Sequence, residues 1–220
     1  MNKPSAVTPA VYLARVTPLE QPERYQKAYA AVGEYRRQKT DAFRFSEDRY
    51  RSLGAELLLI HALRAAGVPY NGCPSVTPGG KPYLPGGGAF FSLSHAGEYA
   101  LCAVAPFLVG CDLEKITAAE EGLAKKCLTP AEYAAFAACP AGRERDTLFF
   151  RFWTKKESYM KQTGQGLHLP PESVDTLSRR PDAAFTEWAQ PAGYRCAVCS
   201  QKPAAFAMQW VDLTELPELR

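Results

Sequence analysis

The sequence predicts an α+β protein, and three observations carry that prediction. Two long stretches, 47–66 and 143–162, repeat apolar residues at the three- and four-residue spacing of a helix. Shorter stretches at 12–16, 89–93, 99–105 and 109–115 alternate or run apolar, as strands do. Glycine- and proline-rich segments separate the two kinds. The chain has 220 residues, 46% of them hydrophobic and 22% charged, so it can bury a sizeable core without disulfide or metal support.

In chain order, Tyr12–Val16 is read as an opening strand closed by Thr17-Pro18. Pro22–Arg37 is polar, with Tyr25, Ala28, Tyr29 and Val32 on one side, and predicts a single surface helix. Glu47–Ala66 predicts a longer helix with Leu53, Leu57, Ile60 and Leu63 on its buried face and Gly67 as its stop. Asn71–Gly88 is rich in Pro and Gly and reads as a loop or a poor edge strand. Ala89–Leu93 and Tyr99–Ala105 predict two strands joined through His95-Ala96-Gly97-Glu98, which puts Ser94 and His95 at a hairpin tip. Val109–Lys115 alternates and predicts another strand. Thr129-Pro130-Ala131-Glu132 has the hydroxyl cap, first-turn proline and glutamate of a capping box. Arg143–Gln162 predicts the second long helix, ended by Gly164, and short strands with a proline-interrupted tail follow from Val174. This order admits two α+β units in sequence, although no residue-level repeat accompanies it.

Several function classes are excluded. Lys plus Arg is 26 against 23 for Asp plus Glu, a net +3 that suits an anionic ligand and is too small for a nucleic-acid protein. The longest uncharged apolar stretch, Tyr99–Cys111, is interrupted by Pro106 and Gly110 and falls short of the roughly 20 residues of a membrane span. Met1–Ala10 lacks the apolar core of a signal peptide. The seven cysteines are an odd, scattered set, and Cys196-x-x-Cys199 has no second pair or nearby histidine to complete a zinc site. A cytoplasmic protein is expected.

The chemistry-bearing candidates each admit two readings. Asp112 and Glu114 lie two apart on a strand and share a face, either as oxygen ligands for a hard cation or as a solvated strand end paired with Lys115. Trp153, Glu157 and Lys161 line one helix face at four-residue spacing, either as a site or as an ordinary surface ion pair. His95 is turn filling or a donor to an anion. Lys81, in Gly79-Gly80-Lys81-Pro82, lacks the first glycine, the following Ser or Thr and the opening helix of a Walker loop.

Together and in order, Gly79-Gly80-Lys81-Pro82, Phe91-Ser92-Leu93-Ser94-His95-Ala96-Gly97, Val109-Gly110-Cys111-Asp112-Leu113-Glu114-Lys115 and Phe152-Trp153-Thr154-Lys155-Lys156-Glu157-Ser158-Tyr159-Met160-Lys161 resemble the 4′-phosphopantetheinyl transferases. The length and the Phe43–Arg49 segment resemble the larger, monomeric type that activates peptide and polyketide synthases. The resemblance covers about Arg36 to Pro171. It implies a pseudo-dimer of two similar α+β halves, 1–107 and 108–220, with the active site between them.

What the family does is then expected here: transfer of 4′-phosphopantetheine from coenzyme A to a serine of an apo carrier protein, releasing 3′,5′-ADP, with Mg²⁺ or Mn²⁺. The resemblance makes Asp112, Glu114 and Glu157 the metal-binding acids, with Glu157 also the base for the carrier serine. Lys161 falls beside the pyrophosphate, Ser94 and His95 near the coenzyme phosphates, and Lys81 near the adenosine end. Arg36, Lys39 and Ser52 fall where the family places further coenzyme contacts. The usual Gly-Ile-Asp-Ile-Glu is here Gly110-Cys111-Asp112-Leu113-Glu114, which keeps both acids. The carrier surface is expected within Ile116–Phe136, with no nucleic-acid or membrane partner. Two alternatives stand: a catalytically silent module that binds coenzyme A or a carrier, and a coenzyme A pyrophosphatase that needs no carrier.

Overall fold

A computed structural model describes residues 7–215. The first residues of the Met1–Ala10 stretch and the end of the proline-interrupted tail lie outside the described residues. The order of elements is β1 (Ala10–Arg15), α1 (Pro22–Ala31), α2 (Glu34–Asp41), α3 (Ser46–Ala65), β2 (Ser75–Val76), β3 (Pro82–Tyr83), β4 (Phe90–Ala96), β5 (Tyr99–Ala105), β6 (Val109–Lys115), α4 (Glu121–Cys127), α5 (Pro130–Ala138), α6 (Arg143–Thr163), β7 (Ala184–Trp188), β8 (Tyr194–Ser200) and β9 (Ala207–Trp210). The α+β prediction holds. Among the described residues no helix is long and apolar enough to cross a membrane.

Two sheets organise the chain, one in the order β4-β5-β1-β9 and the other β6-β8-β7. Strand alternation sorts the side chains into layers. On β1, Tyr12 and Ala14 join the core beneath α3, while Val11 and Leu13 face the opposite way. On β5, Ala100, Cys102 and Val104 face α3, and Leu101 and Ala103 face the second sheet. There they meet Val109, Cys111 and Leu113 of β6 and Cys196 and Val198 of β8. The intervening residues of β6, Gly110, Asp112 and Glu114, are thereby turned toward α6. Leu53, Leu57, Leu58, Leu59 and Leu63 of α3 are fully buried, each burial favouring the fold by about 1.5–3 kcal/mol. Cys196 and Cys199 lie in different clusters, as expected for positions three apart on one strand, and all seven cysteines are free thiols.

Three predictions differ from the structure. The surface helix read over Pro22–Arg37 is broken into α1 and α2, because Val32 and Gly33 are extended. The break buries Val32 and lets Gly33 approach Gly72, whose carbonyl oxygen would lie 2.5 Å from a Cβ at residue 33. Second, β4 continues through Ala96, with His95 paired to Ala100, and only Gly97-Glu98 makes the turn. Ser94 and His95 are therefore ladder residues on opposite faces of a strand, not the tip of a hairpin. Third, the Asn71–Gly88 loop carries the two-residue ladder β2–β3. The last strand, β9, runs back to pair in parallel with β1, so the first sheet contains the first and last strands of the described residues.

The capping box at α5 is present: Thr129 Oγ1 accepts from the Glu132 amide, and Glu132 Oε2 accepts from the Thr129 amide. Glu132 is also fully buried, 2.6 Å from Lys156 of α6, and its Oε1 accepts two bonds from Thr176. Lys156 completes this network by donating to the carbonyls of Pro171 and Val174. Burial lowers the Lys156 pKa even with Glu132 beside it. The network pins α6 to α5 and to the following loop.

Candidate active site

The site begins with a close approach of backbone to backbone. A Cβ at Gly110 would lie 2.0 Å from the Ser158 carbonyl oxygen and 2.3 Å from the Gln162 amide nitrogen. Only glycine lets α6 lie this close to β6. With α6 seated there, residues one helical repeat apart face the acids of β6. Trp153 Nε1 donates to Glu114 Oε1 at 3.2 Å, and Lys161 Nζ donates to Asp112 Oδ1 at 2.6 Å. Glu157 lies between Trp153 and Lys161 on the same helix face.

Strand β4 supplies the third wall. β6 is an edge strand, and its outward amides at Cys111 and Leu113 donate to the hydroxyls of Ser92 and Ser94. Those hydroxyls cover an otherwise open sheet edge. Ser94 Oγ also donates to Asp112 Oδ1 at 2.9 Å and lies 3.1 Å from Lys161 Nζ. Ser94 thus holds Asp112 in place. The other carboxylate oxygen, Asp112 Oδ2, is buried with no hydrogen-bond partner among the described residues.

The acids share a strong field. Burial, then repulsion from Asp112, pushes Glu114 up to about 7, with Trp153 and Lys161 offsetting part of the rise. Burial and Asp112 likewise raise Glu157. Burial by itself lowers the Lys161 pKa, but Asp112 overrides it and the net shift is upward, so Lys161 stays cationic.

His95 projects from the opposite face of β4 to Ser94 and is accessible. The protein mass around its ring, then the cations Lys161, Arg51 and Arg36, lower its pKa. Arg51 was not singled out from sequence. Its i, i+3 pair with Asp48, at 2.6 Å, is the pattern of an ordinary helix-surface ion pair. It also donates to the Gly97 carbonyl in the turn after His95. Arg36 makes two bonds to the fully buried Glu56, which also accepts from Tyr70, and its Nη1 reaches Ser52. Ser52 is buried against Thr40. Lys39 is exposed, its ammonium 4.8 Å from the Tyr35 ring centre.

Lys81 and Lys161 line one pocket of about 250 Å³, walled by Gly79 and Pro82, by Phe91 and Leu93 of β4, and by Met160 of α6. Its lining is mainly apolar with a cation at its edge, suited to a flat ring carrying a negative group.

The sequence model of the 4′-phosphopantetheinyl transferase superfamily (ACPS) matches residues 108–211, from β6 through β9. A "4′-phosphopantetheinyl transferase" of Bacillus subtilis is 31% identical over 214 residues, covering 88% of this chain and 91% of that protein. The chain belongs to the 4′-phosphopantetheinyl transferase family. The "4′-phosphopantetheinyl transferase HetI" of a Nostoc species is 34% identical, over 71% of this chain and 70% of that protein. The "4′-phosphopantetheinyl transferase Sfp" of Bacillus subtilis strain 168 is 28% identical over 88% and 91%.

For a transferase of this family the donor chemistry at β6 and α6 bears on a metal. Asp112, Glu114 and Glu157 offer only oxygen, the preference of a hard divalent cation. Among the described residues Asp112 Oδ2 is buried without a hydrogen-bond partner, and burial followed by the Asp112 charge raises Glu114 and Glu157, so a cation would be favoured among these oxygens. The donor chemistry, oxygen alone, suits such an ion. Among the described residues, however, no three acidic, histidine or cysteine side chains stand in an arrangement that closes on one point, and Lys161 takes Asp112 Oδ1.

Proposed function

We propose that this chain is an active transferase that moves 4′-phosphopantetheine from coenzyme A to a serine hydroxyl of an apo carrier protein and releases 3′,5′-ADP. One observation carries the reading: α6 lies against Gly110, so Lys161 meets Asp112 at 2.6 Å with Glu114 and Glu157 in the same field. The site is assembled from β4, β6 and α6. A cleft between an N-terminal half, 1–107, and a C-terminal half, 108–220, agrees with it.

The carrier serine oxygen forms a bond to the pantetheine-side phosphorus as the bridging bond to 3′,5′-ADP breaks. Its proton passes to Glu157, whose raised pKa makes it a stronger base than an ordinary carboxylate. Lys161, held cationic by Asp112, neutralises the charge that grows on the departing phosphate. His95 and Arg51 take the 3′-phosphate through charge-assisted bonds, and the mainly apolar pocket beside β4 takes the adenosine end. Arg36 and Lys39 add positive field at longer range. Ser52 and Ser94 act by holding Arg36 and Asp112. Asp112, Glu114 and Glu157 would hold Mg²⁺, or Mn²⁺ on the same oxygens, and the bound ion would supply charge neutralisation.

The acidic carrier docks on the Ile116–Phe136 stretch, where Leu123 is exposed beside Lys125 and Lys126 of α4. The seven free thiols, most of them buried, agree with a reducing cytoplasm, and the chain acts as a monomer. Mass spectrometry of several apo carriers incubated with the protein, coenzyme A and Mg²⁺ tests the reading. A mass gain of one phosphopantetheine is expected. Release of free 4′-phosphopantetheine without a carrier, or no gain on any carrier, overturns it.

A further inference from the structure

Lys81 stands on the loop between β2 and β3, yet its ammonium is bound to elements far along the chain. Nζ donates to the Val109 carbonyl at 3.1 Å, at the first residue of β6. It also donates to the Gln162 carbonyl at 2.9 Å, in the last turn of α6. The final carbonyls of a helix have no partner within the helix, and positive charge is favoured at that end. The loop is fitted to the same turn. A Cβ at Gly79 would lie 2.3 Å from the Gly164 carbonyl oxygen, and one at Gly164 would touch the Lys81 stem at 3.4 Å.

No carboxylate figures in the surroundings that set the Lys81 charge, and burial lowers its pKa to about 8. A lysine with two of its three donors on half-buried carbonyls is poorly placed to turn toward a ligand phosphate. Doing so would strip both carbonyls of this partner and leave them unsatisfied, which costs stability. Both anchors adjoin the reacting groups. Gln162 follows Lys161 directly, and Val109 lies one residue before Gly110, on which α6 rests.

We propose that Lys81 is a positioning residue, clamping the last turn of α6 to the start of β6 and so setting Lys161 and Glu157 against Asp112, instead of binding an anionic group of coenzyme A. The proposal rests on the transferase reading above. A shift of about 1 Å at a reacting group costs on the order of a hundredfold in rate, so losing the clamp lowers kcat more than it weakens binding.

The test compares wild type with Lys81→Met and Lys81→Gln, in the full chain with Mg²⁺ and an apo carrier. The clamp predicts kcat about 10- to 100-fold lower for Lys81→Met, with KM for coenzyme A and the affinity for 3′,5′-ADP within about threefold of wild type. Lys81→Gln keeps an amide NH₂ that can donate to a carbonyl and folds with less disruption, so its kcat falls between the other two. Amide exchange over 160–166 is faster in both variants. Unchanged kcat with a tenfold or greater loss of 3′,5′-ADP affinity, equal in both variants, makes Lys81 a coenzyme ligand and overturns the clamp. Unchanged exchange over 160–166 overturns it too. A wild-type protein that loads no carrier refutes the transferase reading instead, and the exchange result still judges the clamp.

Discussion

Lys161 Nζ lies 2.6 Å from Asp112 Oδ1, an ion pair that ties α6 to β6 with the acid side chain 3% and the lysine 30% exposed. Asp112 keeps the ammonium charged against burial, and Ser94 fixes the carboxylate that does so. Asp112→Asn preserves the shape and removes that charge. Carrier loading is expected to fall by at least about 100-fold, equivalent to roughly 2.7 kcal/mol of barrier, with the far-UV circular dichroism unchanged. Rates come from the carrier mass shift over time. Loading within a few-fold of wild type would sink the assignment of this pair.

Gly110 has its own consequence. Gly110→Ala puts a methyl group into the Ser158 carbonyl and the Gln162 amide, both backbone, so the helix itself must move. Stability should fall by about 1–3 kcal/mol, the usual cost of overpacking, and loading should fall with it. Gly122→Ala is the control: nothing lies within 4 Å of its Cβ, in the first turn of α4. That variant should be unchanged or more stable by about 0.4–1 kcal/mol. Equal melting temperatures for the two variants would refute the close-approach argument.

Much of the frame was legible because periodicity encodes it. β6 spans Val109–Lys115 as predicted, and α3 and α6 are within one residue of their predicted ends. Asp112 and Glu114 share a face because strands alternate, and Trp153 and Lys161 reach those acids because helices repeat nearly every four residues. What escaped depended on tertiary contact. The break at Val32-Gly33 brings Gly33 against Gly72, a close approach from a distant loop that helical spacing over 22–37 does not record. Arg51 looked like half of a surface pair, and only the fold brings it to the turn after His95. Ser94, read at a hairpin tip, faces Asp112 because β4 runs on to Ala96.

Glu114 gives the protein a signed pH dependence. Its folded pKa of about 7 lies above the ordinary carboxylate value, so between about pH 4.5 and 7 the folded state holds a proton that the unfolded chain has released. This group's contribution to stability is therefore lost as pH rises through that window and is constant above it. Glu114→Gln has no such proton. Relative to wild type the variant should gain about 1–3 kcal/mol between pH 5 and pH 8, by urea unfolding in a chelator. A constant difference across those pH values would show that Glu114 titrates normally.

Lys156 and Glu132 make the opposite kind of pair, fully buried and bonded to each other instead of to the reacting acids. Each is completely enclosed, 2.6 Å apart, and their bonds join α6, the α5 cap and the loop at Pro171–Thr176 to one another. Lys156→Met leaves the Glu132 carboxylate buried without its cation, and about 3–5 kcal/mol of stability should be lost. Adding Glu132→Gln removes that uncompensated charge while keeping a side chain able to close the capping box. The double variant should therefore melt higher than Lys156→Met alone, a coupling of the kind buried charges produce. The exposed pair Lys125–Glu121 is the contrast, and Lys125→Ala should leave the melting temperature unchanged. If the double variant melts no higher than Lys156→Met, the loss comes from packing around the lysine stem and not from the stranded charge.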